Sequence, residues 1–263
     1  MTVIPRLVGM VHLLPLPGSP GYAGSMDAVL ETALSDAAAL ASAGFPALMI
    51  ENFGDIPFYA DSVPAETVAA MTMAVESIAT ATNVPLGVNV LRNDLLSALG
   101  IAAATGAAFV RVNVLTGLMY TDQGPIVGRA AEALRKRQTL APTVEIWADI
   151  MVKHSAAPFG IDARQAASDT VERGLADAVI VSGTGTGAEP DIHEATIIRA
   201  AVPADTRVVI GSGAQVDNLS KLLDVADSVI VGSAVKVGGD ANNRVDPIAA
   251  AHFVQVAGDH GLT

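Results

Sequence analysis

Short apolar runs recur along the chain, each followed by a polar turn and then by a longer stretch with apolar residues at helical spacing. The runs cover residues 7–11, 46–50, 86–91, 109–115, 144–152, 178–181, 208–210 and 229–231. The stretches between them read as helices over 26–43, 64–82, 95–105, 162–174, 192–201, 215–225 and 247–257. One more helix, basic on one face through Arg129, Arg135, Lys136 and Arg137, follows the loop 116–124. Ser25 is placed to cap the first helix, Gly44 to stop it, and Pro64 to open the second. Strands that alternate with helices form a parallel sheet covered by those helices. Eight such units predict closure into a (β/α)8 TIM barrel, a single domain over residues 1–263. An open, doubly wound sheet is the alternative, because strand number alone does not force closure.

The same pattern locates candidate chemistry, since the loops after barrel strands share one mouth. The last two strands end in Gly211-Ser212-Gly213 and Gly232-Ser233. Glycine lets backbone N–H groups approach a ligand, and a helix starting just after such a turn offers unpaired donors to an anion. Each turn alone also reads as an ordinary connection; the pair, one repeat apart at the end of the chain, predicts a phosphate site. Ser182, Gly183 and Thr184, after the sixth strand, resemble another anion-handling loop.

His12, Glu51, Asn52, Asn89, Arg92, Arg111, Asn113, Asp149 and Lys153 all lie on or just after predicted strands. The two-residue strand period puts Arg111 with Asn113 on one face, and Asp149 with Trp147 and Lys153 on another strand's face. Polar side chains inside apolar strands need partners or a ligand. Asp149 and Glu51 are the acid–base candidates, because burial raises a carboxyl group towards neutrality. Structural pairing is the other reading, with Lys153 or Arg111 as the partner of Asp149. His12 reads as a general base or as hydrogen-bonded structure, and Lys153 as a Schiff-base lysine or as an anion-attracting charge. Asn52, Asn89, Arg92, Arg111 and Asn113 are the remaining ligand-binding candidates.

Composition narrows the classes. The chain has 263 residues, 51% of them hydrophobic, and a mean hydropathy of +0.46, which supplies ample core. Its net charge of -12 argues against a general nucleic-acid or anionic-membrane surface, although a local nest of backbone donors still holds a phosphate. The absence of cysteine excludes disulfides, thiolate nucleophiles and cysteine-ligated metal, and fits the cytoplasm. Residues 7–26 are uncharged, but Pro15, Pro17 and Pro20 interrupt any membrane helix, so a soluble protein is expected. No histidine pair has ligand spacing, so no metal centre is predicted; magnesium between Glu51 and Asp149 is the one option left open. There is no GxGxxG after the first strand and no Walker A lysine, so neither a dinucleotide fold nor a P-loop is supported and no cofactor is predicted; no serine sits in a GxSxG elbow. Apolar outer-helix faces leave a homo-oligomer open.

With these residues in view, the chain resembles the BtpA/SgcQ family, whose name derives from a factor needed for photosystem I biogenesis. The resemblance rests on VHLLPLPGSP around His12, IENFGDIPF with Glu51, Asn52 and Asp55, and GVNVLRND with Asn89, Arg92, Asn93 and Asp94. FVRVNVL, TDQG at 121–124, ADIMVKHS with Asp149, Lys153 and His154, SGTGTG from Ser182, IGSGAQVDN and VGSAVK complete it in order. It implies a TIM-type barrel related to the ribulose-phosphate-binding group and a phosphorylated small-molecule ligand, but no reaction. Two functional expectations follow: a phosphosugar isomerase or lyase, or a non-catalytic biogenesis factor of the photosystem I type. A ligand-sensing barrel without turnover is a third.

Overall fold

The computed structural model of the protein describes residues 4–152, 155–183 and 190–262. The eight apolar runs become the strands β1 (Leu7–His12), β2 (Ala47–Glu51), β3 (Leu86–Asn89), β4 (Phe109–Val112), β7 (Glu145–Ile150), β9 (Ala178–Val181), β10 (Arg207–Ile210) and β11 (Ser228–Val231). They close into a parallel barrel in the order β1-β11-β10-β9-β7-β4-β3-β2. The helices α1 (Met26–Ala43), α2 (Ala65–Ala81), α3 (Leu95–Thr105), α4 (Ala130–Leu140), α5 (Ala163–Ser168), α6 (Ile192–Ala201) and α7 (Leu219–Leu223) lie between them in sequence, and α8 (Pro247–Asp259) follows β11. This is the expected TIM barrel. Ser25 caps α1 as predicted, its hydroxyl accepting from the Ala28 N–H at 3.1 Å.

Strand alternation builds two apolar layers. Outward residues such as Leu48, Ile50, Val88, Val110, Ile146 and Val208 pack under the helices. Inward residues, among them Val8, Met10, Met49, Phe109, Trp147, Ile180 and Ile230, fill the barrel. Phe109 and Trp147 stack at 4.4 Å between ring centroids. Gly87 makes that possible: a Cβ there would come within 2.3 Å of the Phe109 ring. Trp147 donates its Nε1 proton to Glu145, and the Arg207 guanidinium lies 5.4 Å from its ring, so the polar edge and π-face of the one tryptophan are both used.

Three local expectations change. The loop predicted over 116–124 is a hairpin, β5 (Leu118–Thr121) and β6 (Gly124–Val127), extended into a second small sheet by β8 (Ser155–Ala156). The helix predicted over 215–225 shortens to α7, because the Asn218 side chain bonds the Gln215 N–H and the Gly213 carbonyl and holds 213–218 as a loop. The helix predicted over 162–174 divides into α5 and a π-helical turn, Asp169–Arg173.

A buried ion pair fastens the end of the barrel. After β11 the chain carries Lys236, whose ammonium lies 2.9 Å from Asp36 of α1; Asp36 also accepts from Arg244 at 2.8 Å and from the Val245 N–H. Burial works to raise the pKa of Asp36; the Lys236 charge and these hydrogen bonds outweigh it and hold the carboxyl below its ordinary value. No helix among the described residues is long and apolar enough to cross a membrane.

Candidate functional site at the barrel mouth

Register places the site. His12 pairs with Glu51, Glu51 with Asn89, and Asn89 with Arg111, so four consecutive strands carry one polar row at one height. The row lies just above the aromatic fill, where the sequence changes from apolar to polar inward positions. Because these residues point into a barrel, each must be satisfied there or by a ligand.

Arg111 and Asp149 form the centre of one corner. The guanidinium binds the carboxylate in a fork, Nε to Oδ2 at 3.0 Å and Nη2 to Oδ1 at 2.8 Å, and Nη2 also reaches the Gly211 carbonyl at 2.8 Å. Asn113 donates to Asp149 Oδ2 at 3.1 Å. The Ser182 hydroxyl lies 2.9 Å from both Asp149 Oδ1 and the Gly211 carbonyl, one of which takes its single proton. Burial works to lower the pKa of Arg111, but the Asp149 charge and hydrogen bonds, with Glu51 adding, hold it above its ordinary value. The Asp149 side chain is fully enclosed. Asp149 is therefore paired with Arg111, the structural reading of this residue, and its oxygens are spent. Magnesium shared by Glu51 and Asp149 would have to displace the guanidinium. Among the described residues no three His, Cys, Asp or Glu side chains gather as a metal site.

Glu51 heads the other corner and is less engaged. Its Oε2 accepts from Asn89 at 2.5 Å, and its Oε1 faces His12 Nε2 at 3.9 Å. His12 Nδ1 lies 2.9 Å from the Ala241 carbonyl, which only accepts, so Nδ1 carries a ring proton, while Nε2 faces Glu51. The ring stacks on Phe53 at 4.3 Å. The Asn89 carbonyl oxygen is buried without a donor.

Two spaces open on this row. A small one, about 30 Å³, is bounded by His12, Glu51, Arg111, Gly211, Ser212, Gly232 and Ser233. Both glycine turns thus meet His12, Glu51 and the arginine. A Cβ on Gly232 would meet His12 Cε1 at 3.6 Å, an ordinary contact, so glycine here leaves space open rather than avoiding a clash. The larger space, about 430 Å³, runs from Glu51 and Arg111 to Phe53, Phe58, Arg92, Asp122 and Gln123. Asp122 and Gln123 form the tip of the β5–β6 hairpin, and Asp122 pairs with Arg92 at 3.0 Å.

Other candidates are placed differently. Asn52 is a brace: its amide donates to Asp55 at 3.0 Å and its oxygen accepts from the Leu91 N–H at 2.7 Å. Asp55 in turn accepts from the Leu16 N–H at 2.7 Å, and burial, outweighing these bonds, raises its pKa. The VHLLPLPGSP and IENFGDIPF segments are thereby tied together beside the mouth. Gly183 is buried next to Ser182. Lys153, His154 and Thr184 lie outside the described residues. Phe53, Asp122 and Gln123 were missed; the two-residue turn between short runs in LMYTDQGPIV was the available signal for the last two.

Known proteins place this geometry in a family. Thiamine phosphate pyrophosphorylase from Pyrococcus furiosus has a TM-score of 0.60 at 16% identity, over 97% of this chain and 96% of its own, a likeness of fold. An uncharacterized protein of Thermococcus kodakarensis is 48% identical over 253 residues, spanning 95% of this chain and 94% of its own. The photosystem I biogenesis protein BtpA of Synechocystis is 46% identical over 250 residues, spanning 95% of this chain and 86% of its own. A profile of the BtpA family matches residues 4–259, and the chain belongs to that family.

Proposed function

We propose that the barrel mouth binds a phosphorylated small metabolite and that Glu51, assisted by His12, moves a proton on it, in the manner of a phosphosugar isomerase or lyase. The observation that carries this reading is the meeting of two glycine turns, a buried arginine and an under-engaged carboxylate in one space. Backbone donors of the turns hold the phosphate, and Arg111, whose Nη1 is not used in the fork to Asp149, adds positive charge beside it. The cradle is made of loop backbone. Neither α7 nor the single turn Ser233–Val235 supplies a long helix dipole.

The proton step follows from position. Glu51 takes a proton from carbon next to a carbonyl, and the charge left on the carbonyl oxygen is stabilised by Arg111. Return of the proton to the former carbonyl carbon, with the hydroxyl proton of the first carbon passing to the former carbonyl oxygen, gives isomerisation, and departure of a leaving group with its bonding electrons gives elimination. His12 Nε2 is placed to accept the proton from Glu51 or to polarise it. Asp149 orients Arg111 and holds its charge. The thiamine phosphate enzyme named above shares the fold, which agrees with the phosphate half of the reading.

Thermal shift against phosphorylated sugars and metabolites, with their unphosphorylated counterparts and inorganic phosphate, tests it. A ligand at 100 times its dissociation constant adds about 2.7 kcal/mol. A selective shift with one phosphorylated compound is expected; none with any of them overturns the cradle. The name of the Synechocystis relative favours a second reading, a non-catalytic biogenesis factor. A salt-resistant complex with photosynthetic membranes, together with no phosphate response, would select it.

A further inference from the structure

The two spaces of the mouth share Glu51, Phe53 and Arg111, so they adjoin at the carboxylate given the proton step. The small one, about 30 Å³, has room for a single small group. The body of any substrate that reaches Glu51 therefore lies in the large one, about 430 Å³, a volume in the range of small-molecule sites.

The wall of the large space beside Glu51 is apolar. Phe53, Ile56, Pro57 and Phe58 come from the loop after β2, and Leu91 from the loop after β3. Phe53, Phe58 and Leu91 are half-buried and Ile56 is 59% exposed, so the wall keeps apolar surface for a ligand to cover. Phe53 is already held in place, its ring stacked on His12 at 4.3 Å. Covering such surface is favourable, and an aromatic ligand gains further from stacked or edge contact with two phenylalanines. A polyhydroxylated chain in the same place would set hydroxyl groups against carbon, at a cost for each one left unpaired. The polar groups at the hairpin tip are engaged with one another: Asp122 accepts from Arg92 at 3.0 Å and from the Gln123 amide.

We infer that the substrate is a phosphate ester whose other end is an aromatic ring, seated against Phe53, Ile56, Phe58 and Leu91, with the reacting carbons between the two ends at Glu51. This rests on the phosphate reading above and narrows it, from phosphosugars in general to those that carry a ring.

Titrations followed by ³¹P NMR with phenylpropyl phosphate, ribose phosphate and inorganic phosphate test it. The propyl chain of the first probe stands in for the reacting carbons and its ring for the far end; the second probe is hydroxylated throughout. Phenylpropyl phosphate is expected to bind at least about tenfold tighter than ribose phosphate, the effect of covering most of one ring. Ile56→Ser shortens an exposed side chain and Phe58→Ala a half-buried one, and both residues line the large space and not the small one. In each variant that folds as wild type by circular dichroism, the preference should fall by about threefold or more, while inorganic phosphate binds unchanged. Equal affinity for the two esters, or a preference that the folded variants retain, would overturn the ring and leave the phosphate cradle standing. No binding of any of the three would overturn the cradle itself, and the inference with it.

Discussion

The two carboxylates of the mouth stand on strands separated by β3 and β4 and have opposite surroundings. Asp149 receives a guanidinium fork and an amide, has the Ser182 hydroxyl at 2.9 Å, and is fully enclosed. Glu51 receives one amide, faces a histidine at 3.9 Å and borders both spaces of the mouth. A saturated carboxylate fixes geometry; one with accessible lone pairs exchanges protons. The proposed function rests on this difference, with Asp149 positioning Arg111 and Glu51 moving the proton, although both look equivalent as acidic residues at strand ends.

Substitutions can break that contrast. The largest effect is expected from Glu51→Gln, which keeps shape and removes the base: turnover of a responsive phosphorylated compound should fall by about 10²–10⁴ while its affinity changes little. A joint loss of affinity and turnover would make Glu51 a binding residue. Next comes Arg111→Met, which leaves Asp149 buried without a counter-charge and should cost about 3–5 kcal/mol in denaturant unfolding. A cost below about 1 kcal/mol would show that Asp149 is not held as described.

A pair outside the mouth provides a control. The Lys236 charge and the hydrogen bonds to Asp36 hold its carboxyl below the ordinary value of 3.8, so its stabilisation is fully present above that pH and is lost as pH falls through the lower, folded value. Acid unfolding followed by fluorescence should show this dependence in wild type and a flatter one in Asp36→Asn/Lys236→Met, with the mouth's ligand response retained. The smallest effect is expected from Ser182→Ala, about 1 kcal/mol for one hydrogen bond to the saturated corner, a shift of about 2–4 °C in Tm.

The barrel was legible because its signal is repeated: eight apolar runs, each closed by polar residues, leave few alternatives. The polar row was legible as well, since inward strand positions follow the two-residue period, and His12, Glu51, Asn89 and Arg111 fall on it. What periodicity could not supply was partner choice. Asp149 had two candidate partners in sequence, and the strand register, not spacing, brings Arg111 to it. Asn52 looked like a ligand contact because it follows Glu51, yet one residue beyond the strand it turns away and braces Asp55. The hairpin at the mouth was missed because its strands are short and half-exposed, so they carry little apolar signal. The shortening of α7 was likewise hidden, since the side-chain bonds of Asn218 to Gln215 and Gly213 compete locally with a helix that the apolar spacing permits.

The central claim is that the two glycine turns and Arg111 form a phosphate cradle beside Glu51. Its most direct test is a ³¹P NMR titration of inorganic phosphate against wild type, Glu51→Gln and Gly232→Ala. A Cβ at Gly232 meets only ordinary contacts and takes up part of the small space. The account predicts saturable binding to wild type and Glu51→Gln and its loss in a folded Gly232→Ala; equal binding to all three, or to none, would contradict it.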